Sequence, residues 1–435
     1  MTKHLLIALI AFAALAERPN IVIIVADDLG WADVGYHGSP IPTPNIDSLC
    51  KAGIELDRHY VTPLCTPTRV CLLTGRYSSR FGNTSPNNER VLPWGTPTLA
   101  SLLKSAGYST SIVGKWHLGS LPKWGPHHFG FDRSYGSLAG GVGPYNHLYK
   151  KGPYQITWHR NQELIEEEGH VTDLLAKEAV DIIKGADGKP FFLYVPFTAP
   201  HDPFHEPPES VKRVAHLDAG RQQYAASVCH MDAGVGRIVE ALKAKGHYAN
   251  TLILFFSDNG GTRSEGGKAY SGKVAFSSVQ GKNTPLRDGK RSVYEGGVRT
   301  PACVVWPGQF VAGRKLDTPL HASDWLPTLT TAVGIELDPD LNLDGINILP
   351  VLRSEKALGH RSIYCKGIRG QHSMHQGDWK LIVRGKTQEL YNLASDPNET
   401  KNLRRSHPER VAALGKLLAA EQAKDNDAKP DRSKD

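Results

Sequence analysis

The sequence predicts an α/β protein: a large, mixed but mostly parallel sheet sandwiched by helices, with a smaller C-terminal α+β subdomain of antiparallel strands and a helix. The run Asn20–Ala26 is largely β-branched and ends at Asp27, as expected of a buried parallel strand. Strand and helix patterns then alternate over roughly the first 350 residues, which favours a sheet covered on both faces. Beyond about residue 358, short strand patterns follow one another and end in a helix, which indicates a separate antiparallel unit.

Local signals place the remaining elements of the large sheet in order. Thr96 and Pro97 are an N-cap and a first-turn proline, so a helix is expected over residues 97–106. Thr172 and Asp173 cap another helix that runs to about Lys184. Apolar runs and helical periodicity predict strands over 108–113, 191–195, 251–256 and 301–306, and helices over 45–52, from 69 to 73, over 219–245 and over 322–333.

The rest of the chain divides into a loop, a small unit and a tail. Residues 260–282 are rich in Gly and Ser and predict a long loop, which at this length is either functional or disordered. Short strands are expected over 362–365, 379–383 and 389–393, with a helix over 408–421. The predicted organisation is therefore a signal peptide over 1–16, a catalytic domain over 17–357, a C-terminal subdomain over 358–423 and a disordered tail over 424–435.

Composition and charge exclude some functional classes. The 435 residues are 40% hydrophobic and 22% charged, which is ordinary for a globular protein. The net charge of +7 suits attraction of a polyanionic substrate. Because the basic residues form no long run, no nucleic-acid partner is expected.

The N-terminus has the three parts of a secretory signal. Lys3 and His4 form a polar start, residues 5–15 are apolar, and Ala14 and Ala16 bracket an A-x-A cleavage site. The apolar run is shorter than the roughly 20 residues that a membrane-spanning helix needs. We expect a secreted or periplasmic protein, lysosomal if the source is eukaryotic, with no membrane insertion.

The cysteines are too few to build a disulfide scaffold. None has the C-x-x-C spacing of a zinc site, and spacing leaves their pairing open. The six are Cys50, Cys65, Cys71, Cys229, Cys303 and Cys365.

Charged side chains follow three of the predicted strands. Asp27 and Asp28 end the first, Lys115 and His117 follow the strand over 108–113, and the pair Asp258–Asn259 follows the strand over 251–256. The carboxyl ends of parallel strands are where open α/β sheets bind ligands. Carboxylate and amide oxygens suit Ca²⁺ or Mg²⁺, although an Asp pair after a strand can also be a helix N-cap.

A short motif carries the most specific signal. In the stretch over 64–69, Cys65, Pro67 and Arg69 form C-x-P-x-R, and L-T-G-R follows over 73–76. This resembles the signature of type I sulfatases, in which the cysteine is oxidised to formylglycine. Further motifs occur in the order seen in that family: Asp27-Asp28-Leu29-Gly30, Gly114-Lys115-Trp116-His117, Ala199-Pro200-His201, Asp258-Asn259-Gly260, Pro285 to Lys290, Tyr294 to Arg299, Gly377 to Leu381 and Glu389 to Leu393.

The resemblance covers about residues 18 to 420 and implies a fold like that of alkaline phosphatase. It implies one Ca²⁺ held by Asp27, Asp28, Asp258, Asn259 and the converted Cys65. It also implies a formylglycine-generating or maturase enzyme as a partner. One position departs from the family pattern, since Asp288 stands where Gly is common.

The same resemblance implies the catalytic roles. Arg69 and Lys115 stabilise the hydrated aldehyde, and Asp258 activates the hydroxyl that attacks sulfur. His201 and Lys290 contact the sulfate and assist the leaving group, and Lys115 is a further substrate-binding residue. His117 then removes a proton so that sulfate is expelled and the aldehyde returns. A geminal diol suits this step, because its second hydroxyl can collapse without water attacking sulfur.

Substrate specificity is expected from loops around the pocket. The stretch over 63–67 looks most like the N-acetylgalactosamine-4-sulfatase branch and its polysaccharide-degrading bacterial relatives. We therefore expect a carbohydrate sulfate, with a galactose-type 4-O-sulfate as the narrower prediction. Candidate loops include Trp94 and the segments over 136–147, 158–160 and 270–282, with Tyr145, His147 and His205 as the specific substrate-binding candidates.

Two other functions fit part of the sequence. A phosphonate monoester or phosphodiester hydrolase also uses formylglycine in this motif, and turnover of aryl phosphonates would distinguish it. An unmodified, inactive protein that binds sulfated glycans is the second alternative. The intact Asp27, Lys115 and His201 argue against it, because a pure binding protein need not keep them.

Overall fold

The computed structural model describes residues 18–266, 270–271, 277–354, 357–359 and 361–434. The predicted signal peptide over 1–16 lies outside these residues, as does part of the predicted loop over 260–282. Within this part of the chain the strands are β1 Asn20–Ala26, β2 Ile54–Leu56, β3 His59–Tyr60, β4 Ser109–Lys115, β5 Arg133–Ser137, β6 Trp158–Arg160, β7 Glu163–Leu164, β8 Phe191–Pro196, β9 Thr251–Ser257, β10 Arg263–Gly266, β11 Ser277–Gln280, β12 Ala302–Val305, β13 Arg314–Leu316, β14 Leu320–His321, β15 Ser362–Lys366, β16 Gln371–Gln376, β17 Trp379–Arg384 and β18 Thr387–Asn392.

The α-helices vary from one turn to seven turns in length. In the described residues they are α1 Pro44–Ala52, α2 Cys65–Thr74, α3 Leu99–Ser105, α4 Val171–Lys184, α5 Pro208–Arg213, α6 Ala219–Ala244, α7 Glu295–Val298, α8 Trp325–Ala332, α9 Leu349–Leu352 and α10 Pro408–Gln422. Across this part of the chain, no helix combines the length and the apolar character needed to cross a bilayer.

The large sheet confirms the predicted α/β class. Its ten strands in the described residues have the order β13-β2-β12-β9-β1-β8-β4-β5-β6-β7. The central run from β9 to β5 is parallel, whereas β12, β6 and β7 pair antiparallel with their neighbours. Alternate residues of β1 enter two cores: Ile23 packs with α2, α3 and α8 on one face, and Ile24 packs with α1, α4 and α6 on the other.

Several helix starts differ from their predicted positions: α2 begins at Cys65 rather than at residue 69, and α3, α4 and α8 also start elsewhere. Helix α3 begins at Leu99, since Thr98 and Ser101 form a reciprocal capping box with bonds of 3.1 and 2.8 Å. Helix α4 begins one residue early because His170 Nδ1 accepts the N–H of Thr172 at 3.2 Å. The helix expected over 322–333 begins as a 3₁₀ turn over 322–324 and becomes α8 from Trp325.

The small C-terminal sheet has the antiparallel order β15-β16-β17-β18, and α10 packs against it. Strand β16 was missed because its sequence, QHSMHQ, contains only one apolar residue. The sheet is joined to the large domain by a fully buried ion network. Lys380 Nζ lies 2.8 Å from carboxylate oxygens of both Glu295 and Glu399.

Two segments expected to lack structure are ordered in part. Strands β10 and β11 form an antiparallel hairpin inside the loop predicted over 260–282. The tail predicted to be disordered packs on the large domain over the described residues 424–434. The Asn426 N–H donates to Ser79 O at 2.9 Å, and Asp425 lies 3.5 Å from the Arg80 guanidinium.

Candidate active site

The ends of β1, β4 and β9 meet at one edge of the large sheet. Asp27 and Asp28 follow β1, Lys115 ends β4, and Asp258 follows β9. The Asp28 N–H lies 3.4 Å from Asp258 Oδ1, which ties the first and third of these ends together. Asp28 has a φ of 70°, in the left-handed region that disfavours most side chains by roughly 1–2 kcal/mol. Such strain is typical of a functional site whose surroundings hold the backbone in place.

Cys65 is the first residue of α2 and is 2% exposed. Its Sγ lies 3.3 Å from His117 Nδ1, in the turn that follows β4. The Thr66 hydroxyl donates to His117 O at 3.2 Å, which fixes this turn against the helix. His117 also has a left-handed φ, of 59°. The cysteine and the imidazole are thus placed together by two backbone segments that the sequence separates by about fifty residues.

Two cations lie at the bottom of the site. Lys115 Nζ lies 2.5 Å from Asp27 Oδ2, and Arg69 Nη2 lies 2.7 Å from Asp258 Oδ2. Arg69 also donates to Lys115 O at 2.7 Å, so the two cations are held in one network. None of these four side chains is more than 1% exposed. They have little freedom to move, which suits the orientation of a reacting group.

Lys290 and His201 stand at the open end of the site. Lys290 Nζ lies 2.6 Å from Asp28 Oδ2, and His201 Nε2 lies 3.7 Å from the same oxygen. The His201 ring is oriented by its other nitrogen, which donates to Asp202 O at 2.6 Å. The side chains of Lys290 and His201 are 8% and 15% exposed, so an anion from solvent meets them first.

The electrostatics of the site follow from burial and close pairing. Burial alone raises the pKa of Asp28, but Lys290 and His201 reverse the effect and hold that pKa below its usual range. Burial and the nearby Asp27 raise the pKa of Asp258. Burial, with the cations Lys115 and Arg69, lowers the pKa of His117 well below its ordinary value, so its imidazole is neutral at neutral pH.

The oxygen atoms of the site fit a hard divalent cation. Asp27 Oδ1 and Asn259 Oδ1 are buried and have no hydrogen-bond partner. The Asn259 amide nitrogen donates to Asp28 Oδ1 at 2.7 Å, which leaves the amide oxygen available to accept. Ligand-capable atoms of Asp27, Cys65 and Asp258 lie within 4.8 Å of one another. Since buried acceptors are rarely left unpaired, these oxygens suit Ca²⁺.

The charges of the site would let a bound divalent cation attract an anionic substrate. Its three carboxylates balance its three permanent cations, so a divalent ion would leave a net positive site for an anionic substrate. These groups are Asp27, Asp28, Asp258, Arg69, Lys115 and Lys290.

The predicted substrate-binding residues differ in their surroundings. Tyr145 is 42% exposed, and its ring lies 5.0 Å from those of both His205 and His170. His147 is buried, stacks on Trp158 at 4.5 Å and bonds to Gly169 O at 3.0 Å through Nε2. Tyr145 and His205 therefore present a surface to solvent. Substrate binding by His147 stays a prediction. Its ring already contacts Trp158 and Gly169.

The other candidate segments also divide into internal and exposed groups. Arg160 forms two bonds to Glu178, and His159 is buried with Nδ1 2.8 Å from Gly136 O. These contacts hold the edge of the large sheet. Trp94 is 39% exposed, but its ring packs beside His128 and beneath Arg90.

One part of the pocket wall was missed by the sequence interpretation. Tyr149 and Lys150 lie beside Tyr270, which belongs to the segment predicted to form a specificity loop. Tyr149 and Lys150 combine an aromatic and a basic side chain, as residues 158–160 do, and this combination could have marked them as substrate-binding candidates. Proximity to Tyr270 was not visible, because about 120 residues separate the two segments.

Comparison with known families agrees with this geometry. Residues 19–335 match the family described as Sulfatase, and residues 288–424 match the one described as N-sulphoglucosamine sulphohydrolase, C-terminal. The chain belongs to the sulfatase family. Sulfatases are sulfuric ester hydrolases, and this is the class of reaction that the chain catalyses. The predicted resemblance to type I sulfatases is confirmed.

Curated relatives in the sulfatase family share about a third of their residues with the chain. Arylsulfatase J of Mus musculus is 34% identical over 85% of this chain, and the alignment spans 62% of that relative. N-acetylgalactosamine-6-sulfatase of Homo sapiens is 33% identical over 83% of this chain and 72% of its own length. Arylsulfatase A of Homo sapiens is 32% identical over 92% of this chain and 86% of its own length.

Solved sulfatase structures share the whole architecture. The crystal structure of Ps i-CgsB in complex with k-i-k-neocarrahexaose matches with a TM-score of 0.85 and 32% identity, covering 96% of each chain. PsFucS1 sulfatase from Pseudoalteromonas sp. matches with a TM-score of 0.78 and 26% identity, covering 94% of this chain and 90% of its own. Both alignments include the large sheet and the small C-terminal sheet.

Proposed function

We propose that the chain is a secreted carbohydrate sulfatase that uses one Ca²⁺ and a formylglycine formed from Cys65. The observation that most supports this is the position of Cys65, 3.3 Å from His117 Nδ1 and close to Asp27 and Asp258. Burial raises the pKa of the Cys65 thiol, so the encoded side chain is a weak nucleophile at neutral pH. Formylglycine, once formed, would supply a hydrated aldehyde as the nucleophile toward sulfur.

The bottom of the site would orient the converted side chain. Arg69 is fixed by Asp258 and by Lys115 O, so its remaining N–H groups have a defined direction. Lys115 is fixed by Asp27 in the same way. These cations stabilise negative charge as it develops, with no rearrangement during the reaction. Ca²⁺ held by Asp27, Asp28, Asp258 and Asn259 would polarise the sulfate ester.

The remaining groups would move protons and hold the substrate. His117 is neutral and close to position 65, so it can take the proton that must leave that position when sulfate is expelled. His201 and Lys290 are the more exposed groups of the site, and they would contact the sulfate and assist the departing alcohol oxygen. In this proposal the deeply buried side chains act on the group at position 65, and the more exposed ones contact the substrate.

A sulfated carbohydrate is the substrate class that we propose. The Ps i-CgsB structure holds k-i-k-neocarrahexaose, and several curated relatives act on N-acetylgalactosamine-6-sulfate by name. The net positive charge of this chain also suits a polyanion. These names refer to different saccharides, a neocarrahexaose and N-acetylgalactosamine, and they do not assign a sulfate position for this chain. The 4-O-sulfate therefore remains a prediction from the motif over 63–67.

Secretion and maturation complete the proposal. The polar start and apolar run over 1–16 would direct export, and a formylglycine-generating or maturase enzyme would convert Cys65. Both would act before the chain reaches its substrate. A protein made without that partner would keep the thiol.

Mass spectrometry of the tryptic peptide that carries Cys65 tests the proposal. Protein secreted by its natural route should show a loss of about 18 Da at this residue, together with aldehyde reactivity and turnover of an aryl sulfate. Cys65→Ala should abolish turnover, whereas Cys71→Ala, a buried thiol in the same helix, should retain it. Full turnover by protein with an unmodified thiol would contradict the mechanism. Faster turnover of an aryl phosphonate than of an aryl sulfate would contradict the substrate class.

A further inference from the structure

A further lysine lies beside the site on an aromatic platform. Lys150 Nζ lies 5.5 Å from the ring centre of Tyr149 and 5.8 Å from that of Tyr270. Both tyrosine rings are buried, whereas Lys150 is exposed. An antiparallel bridge joins the backbones of Lys150 and Tyr270, and Ser271 N–H donates to Tyr149 O at 3.1 Å. The lysine is therefore held at a fixed place on the wall of the site.

Two consecutive glycines connect this platform to the reacting group. A Cβ on Gly140 would lie 2.5 Å from His117 Nε2, and a Cβ on Gly141 would lie 2.5 Å from Tyr270 Oη. Neighbouring Cα atoms are only 3.8 Å apart. The tyrosine hydroxyl and the imidazole beside Cys65 thus line one short stretch of backbone. The same Tyr270 ring carries the ammonium group of Lys150, 5.8 Å from its centre.

The charges around Lys150 point to an anionic occupant. Partial desolvation over the two tyrosine rings lowers the pKa of Lys150, Lys290 and Lys115 lower it further, and Asp202 opposes this effect only in part. The ammonium group is therefore close enough to the cations of the site to be affected by their charge. Like charges this close repel, and an anion bound between them would relieve the repulsion.

We propose that Lys150, positioned by Tyr149 and Tyr270, binds a second anionic group of the carbohydrate whose sulfate ester occupies the site at Cys65. This inference rests on the proposed carbohydrate sulfatase function and narrows it. The second anion is a sulfate or a carboxylate, carried by the same sugar or by the next one in the chain. The preferred substrate class is accordingly a saccharide with at least two negative charges.

Three substitutions separate charge recognition from simple packing. Lys150→Met keeps an unbranched apolar stem over the two rings and removes the charge. Lys150→Arg keeps the charge and the cation–π contact. Lys151→Met is the matched control, because Lys151 is the adjacent exposed lysine. If Lys150 only packs on the tyrosines, Lys150→Met should act equally on all substrates.

Steady-state kinetics of the matured, calcium-loaded protein test the proposal with three substrates. These are an aryl sulfate with one charge, a disaccharide with two sulfates, and a disaccharide with one sulfate and one uronate. We expect Lys150→Met to lower kcat/KM about tenfold, mainly through KM, on at least one disaccharide. The aryl sulfate should change less than about twofold, and Lys150→Arg and Lys151→Met should behave like the parent protein. The disaccharide that loses turnover identifies the anion as sulfate or carboxylate. Equal losses on all three substrates, or no loss on either disaccharide, would overturn the proposal.

A binding experiment keeps this test distinct from that of the proposed function. Absence of turnover on every sulfate ester would contradict the function, but it would leave binding measurable. Calorimetric titration of the same disaccharides into Cys65→Ala protein, with and without Lys150→Met, needs no chemistry. A loss of affinity of about tenfold with Lys150→Met supports the subsite. Unchanged affinity for both disaccharides overturns it.

Discussion

Lys115 Nζ lies 2.5 Å from Asp27 Oδ2, and neither side chain is exposed to solvent. The pair joins the ends of β1 and β4, which lie on either side of β8, and forms part of the base of the site. Burial disfavours the charge on Lys115, but Asp27 more than compensates and raises the pKa of the lysine. The relationship explains how a charged amine persists in the interior of the protein. It also means that either partner alone would be an uncompensated buried charge.

Removing the charge of Lys115 should therefore abolish most of the activity. We expect Lys115→Met to lower kcat on an aryl sulfate by about 10²–10³-fold, as is typical when a fixed stabilising group is lost. The exposed Lys104 pairs with Asp132 on the surface, and Lys104→Met is the control. Turnover of Lys115→Met within about threefold of the parent would argue against a role for this amine in the reaction.

These strand ends show what the sequence could predict. Apolar runs that end in Asp27 and Asp258 indicated both the parallel sheet and the edge where the site lies, because parallel strands end together. The starts of α3 and α4 were placed wrongly, because the choice among neighbouring Thr and His caps depends on side-chain hydrogen bonds. Strand β16 is mostly polar, and pairing with both neighbours and burial of Met374 stabilise it as a strand.

The wall of the site was harder to predict than its base. The Lys150 platform depends on a bridge to Tyr270, a contact between distant segments that no local pattern encodes. Arg160 looked like a candidate for substrate binding but pairs with Glu178 on α4. A basic residue near aromatic residues in the sequence can bind substrate or can form an ion pair within the protein. The fold is needed to distinguish these two roles.

Calcium should stabilise the folded protein. The close carboxylates Asp27, Asp28 and Asp258 repel one another less when a divalent ion lies between them. At a free Ca²⁺ concentration of 100 times Kd, we expect a stabilisation of about 2.7 kcal/mol, measured as a rise in the thermal midpoint after chelation and readdition. Asn259→Leu should weaken this shift, whereas Asp187→Asn, on the surface, should leave it unchanged. A midpoint that does not respond to Ca²⁺ would contradict the proposed metal.

The junction between the two sheets should depend on Lys380. This side chain is fully buried between Glu295 and Glu399. Lys380→Met leaves two carboxylates without their shared cation, so we expect a loss of about 3–5 kcal/mol in the free energy of unfolding. Lys386→Met, on an exposed turn of the same small sheet, is the control for chemical denaturation. A loss below about 1 kcal/mol would show that the network contributes little to stability.

Stability should fall in mildly alkaline solution through His230. Burial lowers the pKa of this residue, but Asp173 and Glu206 raise it to about 9, above its ordinary value of 6.5. His170 is stacked beside the ring, and Arg237 shares Asp173. Because the folded-state pKa is raised, the stabilisation is complete below about pH 6.5 and is lost as the pH rises through about 9.

Urea denaturation at several pH values measures this effect. The difference in unfolding free energy between the parent protein and His230→Asn should be largest near pH 6 and should shrink toward pH 9 and above. His216→Asn, an exposed histidine, should show a much smaller dependence. A difference that stays constant over this range would mean that His230 is not charged in the folded protein.

The burial of Cys65 limits when a maturation enzyme can reach it. The residue is 2% exposed and is enclosed by groups that follow β1, β4 and β9. A second protein therefore cannot bind this side chain once those strands have assembled. Under the proposed mechanism, each molecule must acquire its aldehyde while the chain is still open. A folded molecule that missed this moment would need to unfold to be repaired. The active fraction of a preparation then depends on how efficiently the cell converted Cys65 during synthesis. Oxidant or enzyme added to the folded protein cannot raise that fraction.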